Sequence, residues 1–267
     1  MSGPGEPTGR RSMSAAETGG YRDQLEVLGV RVDRVDQELA LERIEAMLAA
    51  PSCKQVVTLN PEYVIRANRE PELMRIINTA ALSVPDGMGI VWASRLLGQP
   101  PRSRVTGTGL LPAIGRLCAG LGCSLFLLGG EPGVAELAAA RLKEDIPGLV
   151  IAGVSSNDPG PANDPQTIEL INCSGAGILA VAYGCPKQDY WISANRSQLK
   201  GVRVAFGCGG ALDFISGQMP RAPGALRRRG FEWLYRLWLE PSRARRMVVL
   251  PKFGLKVVAS RFRGGRG

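Results

Sequence analysis

The chain has 267 residues, a net charge of +9 and no histidine, and its 45% hydrophobic content is typical of a globular protein. No apolar run reaches the roughly 18 residues needed to span a bilayer, and the N-terminus lacks the apolar stretch of a secretory signal. We therefore expect a cytoplasmic protein. Since the commonest general base is missing, a base acting near neutral pH must be a carboxylate, Lys, Tyr or Cys.

The positive charge is concentrated near the C-terminus. Residues 221–267 contain 11 Arg and 2 Lys against Glu232 and Glu240, so this segment carries +11 and residues 1–220 carry −2. A basic tail of this kind is typical of a surface that binds phosphates, of either nucleic acid or anionic lipid.

Metal and disulfide chemistry have little support in the sequence. The six cysteines form no CxxC pair, and in a cytosolic protein we expect them to be reduced. There is no histidine to complete the usual ligand sets and no D-x-D motif. We therefore expect neither a metal site nor a cofactor.

Strands and helices alternate along most of the chain. Residues 1–22 are rich in Gly, Pro, Ser and charge, and we expect them to be disordered. Apolar runs after them predict seven strands, at 27–32, 55–60, 80–84, 124–128, 150–154, 177–183 and 202–206. Helical patterns lie between the strands, at 36–48, 61–77 with a break at Pro71, 90–97, about 134–145, 167–173 and 189–195.

This alternation predicts an α/β fold for residues 23–220, with a Rossmann-like, mainly parallel sheet covered by helices on both faces. Ligands of such sheets bind at the carboxyl ends of the strands. Residues 221–267 form a separate basic appendage. It has an aromatic helix at 231–240, ended by Pro241, and a second helix from about 242 that we expect Pro251 and Gly254 to interrupt.

Two strand ends carry candidate sugar-handling groups. Thr58 and Asn60 could hydrogen-bond a neutral sugar, or could cap the helix that follows. Asp86, in the run Pro85-Asp86-Gly87, could take a proton from an acceptor hydroxyl. Its alternative is also an N-cap.

Other polar loops could bind phosphate and nucleotide. Arg102 and Arg104 precede a helix and could hold a diphosphate, or could be solvated loop residues. The turn Gly129–Gly133 resembles a phosphate-binding turn but is not a complete GxGxxG motif. In a further loop, Lys187 could meet phosphate.

Gln188 and Asp213 complete the candidate set. Gln188 could bridge sugar hydroxyls, or could be an exposed residue in the first turn of a helix. Asp213 follows the turn Gly207–Gly210 and could accept hydrogen bonds from a ribose or base, or could form a cap or salt bridge.

Taken in order, these motifs resemble the WecG/TagA/CpsF glycosyltransferase family over about residues 27–258. The resemblance rests on TLNPEYV (58–64), PDGMGIV (85–91), RVTG (104–107), LFLLGGEPGVAE (125–136), YGCPKQDYWI (183–192), FGCGGALDFISGQMPRAP (206–223) and GFEWLYRLWLEPSRARR (230–246). Cys185 stands where a small residue or proline is expected, and Cys208 lies within the second glycine turn, so the donor sugar stays open.

The resemblance implies an inverting, metal-independent hexosyltransferase of cell-surface polysaccharide synthesis. Such enzymes move N-acetylmannosamine or its uronate from a UDP-sugar to N-acetylglucosamine on undecaprenyl diphosphate. The catalytic residues it implies are Asp86, Thr58, Asn60, Arg104 and Gln188. We assign the nucleotide-sugar to Gly129, Gly130, Tyr183, Lys187, Gly209, Gly210 and Asp213.

The appendage is expected to dock on the anionic inner face of the plasma membrane and to close the active site. We assign lipid-diphosphate and membrane contacts to Arg221, Arg228, Arg236, Arg243, Arg246, Trp233 and Trp238. The alternative is a helix packed on the core with its aromatics buried. We expect no nucleic-acid partner, and homo-oligomerisation stays open.

Two rival functions remain. The first is a nucleic-acid-binding protein that uses the basic tail. The second is a nucleotide-binding regulatory module without turnover.

Overall fold

A computed structural model describes residues 24–220, 223, 226, 232–239 and 249–264. Within the last two segments, the side chains of residues 232, 233, 236, 263 and 264 are not part of the description. The N-terminal segment 1–22, for which we expect disorder, lies outside the described residues.

A small β-hairpin precedes the main sheet. Its strands β1 (Gln24–Val27) and β2 (Val30–Asp33) pair antiparallel, so the prediction of one continuous strand at 27–32 is wrong. The connecting residues Leu28 and Gly29 both have positive φ, at 54° and 81°. A turn of this kind suits the twist of a hairpin. Leucine rarely adopts it, so the sequence carries no clear turn signal here.

The main sheet has six parallel strands, in the order β4-β3-β8-β7-β5-β6. This confirms the predicted α/β class with a parallel sheet. The strands lie close to the predicted apolar runs, at β3 (Lys54–Leu59), β4 (Leu82–Pro85), β5 (Ser124–Gly129), β6 (Val150–Ser155), β7 (Ile178–Ala182) and β8 (Val204–Gly207).

Helices cover both faces of the sheet. Side chains of successive strand residues point to opposite faces, and because both sets are apolar, each face is buried under helices. Val56 belongs to the apolar cluster on one face, and its neighbour Val57 belongs to one of the two clusters on the other face. The helices are α1 (Gln37–Leu48), α2 (Pro61–Ala67), α3 (Pro71–Thr79), α4 (Met88–Leu96), α5 (Gly107–Leu121), α6 (Val134–Asp145), α7 (Asp164–Ser174), α8 (Lys187–Asn195) and α9 (Ala211–Ile215).

The strand order sets where a site can form. β8 lies between β3 and β7, so the carboxyl ends of strands that are far apart in the sequence stand side by side. Turns after β3, β4, β5, β7 and β8 therefore share one edge of the sheet.

Two helices of the C-terminal segment are described, α10 (Glu232–Leu239) and α11 (Val249–Gly264). The predicted interruption at Pro251 and Gly254 is wrong, because α11 runs through both. Pro251 lies in the first turn, where a helix needs no N–H donor. Phe253 and Val257 of α11 are buried in the cluster that contains α2 and α4. The appendage therefore shares a core with the α/β domain.

Within the described ranges, every helix is too short or too polar to cross a lipid bilayer. All six cysteines fall within these ranges, and all are free thiols.

Candidate active site

A cavity of about 1080 Å³ opens at the carboxyl edge of the sheet. One part of it, the strand-end half, is lined by residues from the turns after the strands. It contains all twelve residues assigned to catalysis or to the nucleotide-sugar, namely Thr58, Asn60, Asp86, Arg104, Gly129, Gly130, Tyr183, Lys187, Gln188, Gly209, Gly210 and Asp213.

Asp86 lies directly after β4 and is partly exposed to the cavity. Its backbone N–H donates to the Leu59 carbonyl at 2.7 Å, which ties the exit of β4 to that of β3. Its carboxylate Oδ2 accepts from the Gly107 N–H at 3.5 Å, at the start of α5. The positive end of the α5 dipole therefore faces this carboxylate. The N-cap of α4 is Gly87 and has no side-chain cap bond, so the cap interpretation of Asp86 is wrong.

Thr58 and Asn60 make internal hydrogen bonds at the end of β3. The buried Thr58 hydroxyl donates to the Gly207 carbonyl at 3.0 Å, which joins β3 to the last residue of β8. Asn60 is the N-cap of α2, and its Oδ1 accepts from the Tyr63 N–H at 3.2 Å. The cap interpretation is thus correct for Asn60. Its amide NH₂ group is not used by the cap.

Gln188 is 1% exposed, so its interpretation as an exposed helix residue is wrong. Its Oε1 accepts from the Gly209 N–H at 3.1 Å, and its Nε2 donates to the Tyr63 hydroxyl at 2.9 Å. A Cβ at Gly207 would lie 2.0 Å from this Nε2, so the amide fits only because residue 207 has no side chain. The amide therefore links the glycine turn after β8, through Gly209, to Tyr63 of α2.

Asp189 extends this network, although sequence analysis did not single it out. Its carboxylate accepts a hydrogen bond from the Tyr63 hydroxyl, and its main-chain carbonyl accepts from Gln55 Nε2 at 3.1 Å. Asp189 is fully buried, and burial raises its pKa to about 7 against the opposing effect of the Tyr63 hydrogen bond. One signal was available: Gln188 and Asp189 share the buried face of α8 with Ile192.

The segment before α5 contributes Arg104, which is partly buried and lines the cavity. Its neighbour Val105 is anchored by an N–H bond to the Pro85 carbonyl at 2.9 Å, next to Asp86. Arg102 is exposed and does not line the cavity, so of the two arginines only Arg104 is placed to meet a ligand there.

The turn after β5 is shaped by an aromatic ring. Gly129 and Gly130 have φ of 94° and 88°, and a Cβ at Gly129 would lie 2.8 Å from Cδ1 of Tyr183. The Tyr183 ring packs edge-on against Trp191, with centroids 5.8 Å apart. Tyr183 therefore forms a fixed wall between the β5 and β7 exits.

Two charged residues complete the strand-end half. Lys187 is exposed at the first position of α8. Asp213 is partly exposed in the first turn of α9, whose N-cap is Gly210 without a side-chain bond, so Asp213 is not the cap.

The remainder of the cavity, the helical half, is apolar, and sequence analysis did not identify it. Its side chains come from α4 and α11, which lie more than 150 residues apart in the chain. They are Trp92, Ala93, Leu96, Val249, Leu250, Pro251, Phe253, Val257 and Val258. A single cavity therefore combines polar strand ends with an apolar helical wall.

Most of the assigned membrane contacts fall on residues or side chains outside the described ranges. Arg221, Arg228, Arg243 and Arg246 lie outside the described residues, and Trp233 and Arg236 lie on α10 with side chains that are not described. Trp238 is 74% exposed. This exposure argues against an α10 with all its aromatics buried.

Comparisons with known proteins agree on one family. Residues 25–267 match the profile of the Glycosyl transferase WecG/TagA/CpsF family. An N-acetylglucosaminyldiphosphoundecaprenol N-acetyl-beta-D-mannosaminyltransferase of Bacillus spizizenii is 35% identical over 199 residues, which cover 74% of this chain and 76% of that protein. The enzyme of the same name from Staphylococcus aureus strain MRSA252 is 29% identical over 240 residues, which cover 89% of this chain and 93% of that protein.

Proposed function

Because this chain belongs to the WecG/TagA/CpsF family of glycosyltransferases, we propose that it transfers N-acetylmannosamine from a UDP-sugar to N-acetylglucosamine on a polyprenyl diphosphate. The product would serve the synthesis of a cell-surface polysaccharide. The acceptor and the transferred sugar are those in the names of the two relatives.

The observation that carries the proposal is the position of Asp86. Its carboxylate lies at the cavity, beside the N-terminus of α5. Arg104, in the segment just before α5, lines the same cavity. A histidine-free chain needs another base, and a carboxylate at the carboxyl edge of a parallel sheet can reach a bound substrate.

In the proposed reaction, Asp86 accepts the proton of an acceptor hydroxyl as the hydroxyl oxygen attacks the anomeric carbon of the donor. The bond from that carbon to the UDP oxygen breaks, and UDP leaves with the bonding electrons. Attack from the face opposite UDP inverts the anomeric carbon.

The charge of the leaving diphosphate must be met without a D-x-D metal site. Arg104 and Lys187, which line the cavity, can do so together with the N-terminus of α5. We assign the nucleotide to the glycine turns at Gly129 and Gly209, with Tyr183 as a wall and Asp213 as an acceptor for ribose or base.

Gln188 has a different role in this proposal from bridging sugar hydroxyls. Since its amide is bonded to Gly209 and Tyr63, it acts by holding the turn after β8 in place. Thr58 acts just before this turn, by holding Gly207 at the end of β8. Asn60 keeps its amide NH₂ group for a sugar oxygen.

We also propose that the protein works as a peripheral protein on the inner face of the plasma membrane. On α11, Leu255 and Phe262 are each 73% exposed and lie two turns apart on one side of the helix, with the exposed Lys252 beside them. Apolar side chains flanked by cations are typical of helices that rest on an anionic bilayer.

The function is tested by measuring UDP release from a panel of UDP-sugars, with N-acetylglucosaminyl-diphospho-polyprenol as the acceptor. We expect rapid, acceptor-dependent release with UDP-N-acetylmannosamine. Release that does not depend on the acceptor, or no release with any donor, would contradict the proposal. A salt-dependent shift of an oligonucleotide without transfer would favour the nucleic-acid-binding alternative.

A further inference from the structure

The helical half of the cavity is an apolar groove between α4 and α11. Trp92 and Leu96 stand one turn apart on α4 and are 50% and 36% exposed, and Val258 of α11 is 43% exposed. Such large apolar side chains at the wall of a cavity are in contact with water unless a ligand covers them.

The two walls of this groove are fixed to each other. Phe253 and Val257 of α11 are 4% and 1% exposed and belong to the same core cluster as Ile90 and Ala93 of α4. The Arg261 guanidinium also donates to the Leu96 carbonyl at the end of α4. Packing between α4 and α11 therefore fixes the shape of the groove.

The groove starts close to the proposed base. α4 begins at Met88, two residues after Asp86, and a helix rises about 1.5 Å per residue. Along the helix axis, Trp92 is thus about 6 Å and Leu96 about 12 Å beyond the start of α4. A ligand whose sugar hydroxyl lies at Asp86 would meet apolar surface only after a polar linker.

We propose that the groove between α4 and α11 binds the first isoprene units of the acceptor lipid. This assignment rests on the proposed function, because the acceptor there joins a sugar, a charged diphosphate and an apolar chain in that order. The cavity offers matching surfaces for the two ends of that molecule: Asp86 in the strand-end half for the sugar hydroxyl, then Trp92, Leu96 and Val258 for the apolar chain.

The test compares two acceptors that share N-acetylglucosaminyl diphosphate and differ only in the lipid, a full polyprenyl chain or a short alkyl chain. Transfer is measured in detergent micelles, so that weaker attachment to a bilayer cannot affect the result. The native protein should show a lower KM for the polyprenyl acceptor.

Replacing both Trp92→Ser and Leu96→Ser should raise the KM for the polyprenyl acceptor about tenfold or more, from the lost burial of two apolar side chains. The KM for the donor and for the short-chain acceptor should stay unchanged. Leu250→Ser removes an apolar side chain from the opposite wall, away from Leu255 and Phe262, and should act in the same direction, which keeps the test valid if the double variant is unstable.

The matched control is Leu137→Ser with Leu170→Ser. These leucines are 48% and 46% exposed on α6 and α7, outside the cavity. Groove variants that behave like this control, or a native enzyme indifferent to chain length, overturn the assignment. The assignment would also be wrong if the groove variants kept the native KM but lost a dimer on gel filtration, because the groove would then bind a second copy of the chain. Absence of transfer to either acceptor by the native protein would instead overturn the proposed function, and the assignment with it.

Discussion

The two halves of the cavity are constructed in different ways. In the strand-end half, polar groups are tied to the backbone of neighbouring turns, as Thr58 is to Gly207 and Gln188 to Gly209. In the helical half, the walls meet through apolar packing around Phe253 and Val257. The comparison suggests that chemistry is placed where hydrogen bonds fix geometry, whereas a surface for a flexible apolar chain needs only shape and burial.

The strongest test of this division is Asp86→Asn. Positioned proton abstraction typically contributes about 10²–10⁴ in rate, and kcat should fall by about that factor. The amide oxygen can still accept from Gly107, so UDP binding by calorimetry and thermal stability should be nearly unchanged. Asp145→Asn, an exposed carboxylate at the end of α6, is the control. A full transfer rate in Asp86→Asn would remove Asp86 from the role of base.

Gly207→Ala tests whether the strand-end half is as tightly held as its hydrogen bonds indicate. The new Cβ would lie 2.0 Å from Gln188 Nε2, and overpacking of this kind typically costs about 1–3 kcal/mol in the free energy of unfolding. Denaturant unfolding measures it. The control is Gly120→Ala, where a Cβ in α5 meets nothing within 4 Å and should stabilise the chain by up to about 1 kcal/mol. Equal stabilities of the two variants would show that Gln188 is not locked against the turn.

Asp189, in the hydrogen-bond network behind the strand-end half, makes the stability of the fold depend on pH. Burial raises its pKa from 3.8 to about 7, so between these values the folded chain holds a proton that the unfolded chain has released. Its contribution to stability is therefore complete below about pH 4 and is lost as pH rises towards 7, by at most about 1.4 kcal/mol per pH unit. Urea unfolding at several pH values should show this decline in the native chain. Asp189→Asn should flatten it, while Asp145→Asn should not. Parallel pH profiles for the native chain and Asp189→Asn would exclude a buried, protonated carboxyl.

The same division explains what could be predicted from sequence. The strands, and the polar residues at their ends, are local features: an apolar run followed by Thr58, Asp86 or a glycine turn is visible in a short window. The edge of a parallel sheet then brings such residues together without knowledge of the contacts. The sequence therefore predicted that these residues lie together at one edge of the sheet, and they line one cavity there.

The features that escaped prediction depend on partners far away in the chain. The buried pair of Tyr63 and Asp189 joins α2 to α8, and neither residue shows its partner locally. The helical half depends on α11 returning to α4. The hairpin was missed for a different reason, since its turn uses Leu28 at positive φ.

The smallest effect we predict lies outside the cavity, on the exposed side of α11. Lys252 is exposed beside the apolar residues proposed to meet the bilayer, and a basic residue near an anionic surface contributes roughly 1 kcal/mol. Lys252→Gln should therefore weaken sedimentation with anionic vesicles about fivefold and leave sedimentation with neutral vesicles unchanged. Lys200→Gln, which changes an exposed lysine after α8, should change neither sedimentation.

The Lys252→Gln variant also separates the bilayer contact from the proposed lipid groove. Because the KM for the polyprenyl acceptor is measured in detergent micelles without a bilayer, Lys252→Gln should leave that KM unaltered. If that KM rises as well, membrane attachment and lipid-chain binding use one surface of α11. The helical half of the cavity would then not be separate from the side of α11 that faces the bilayer.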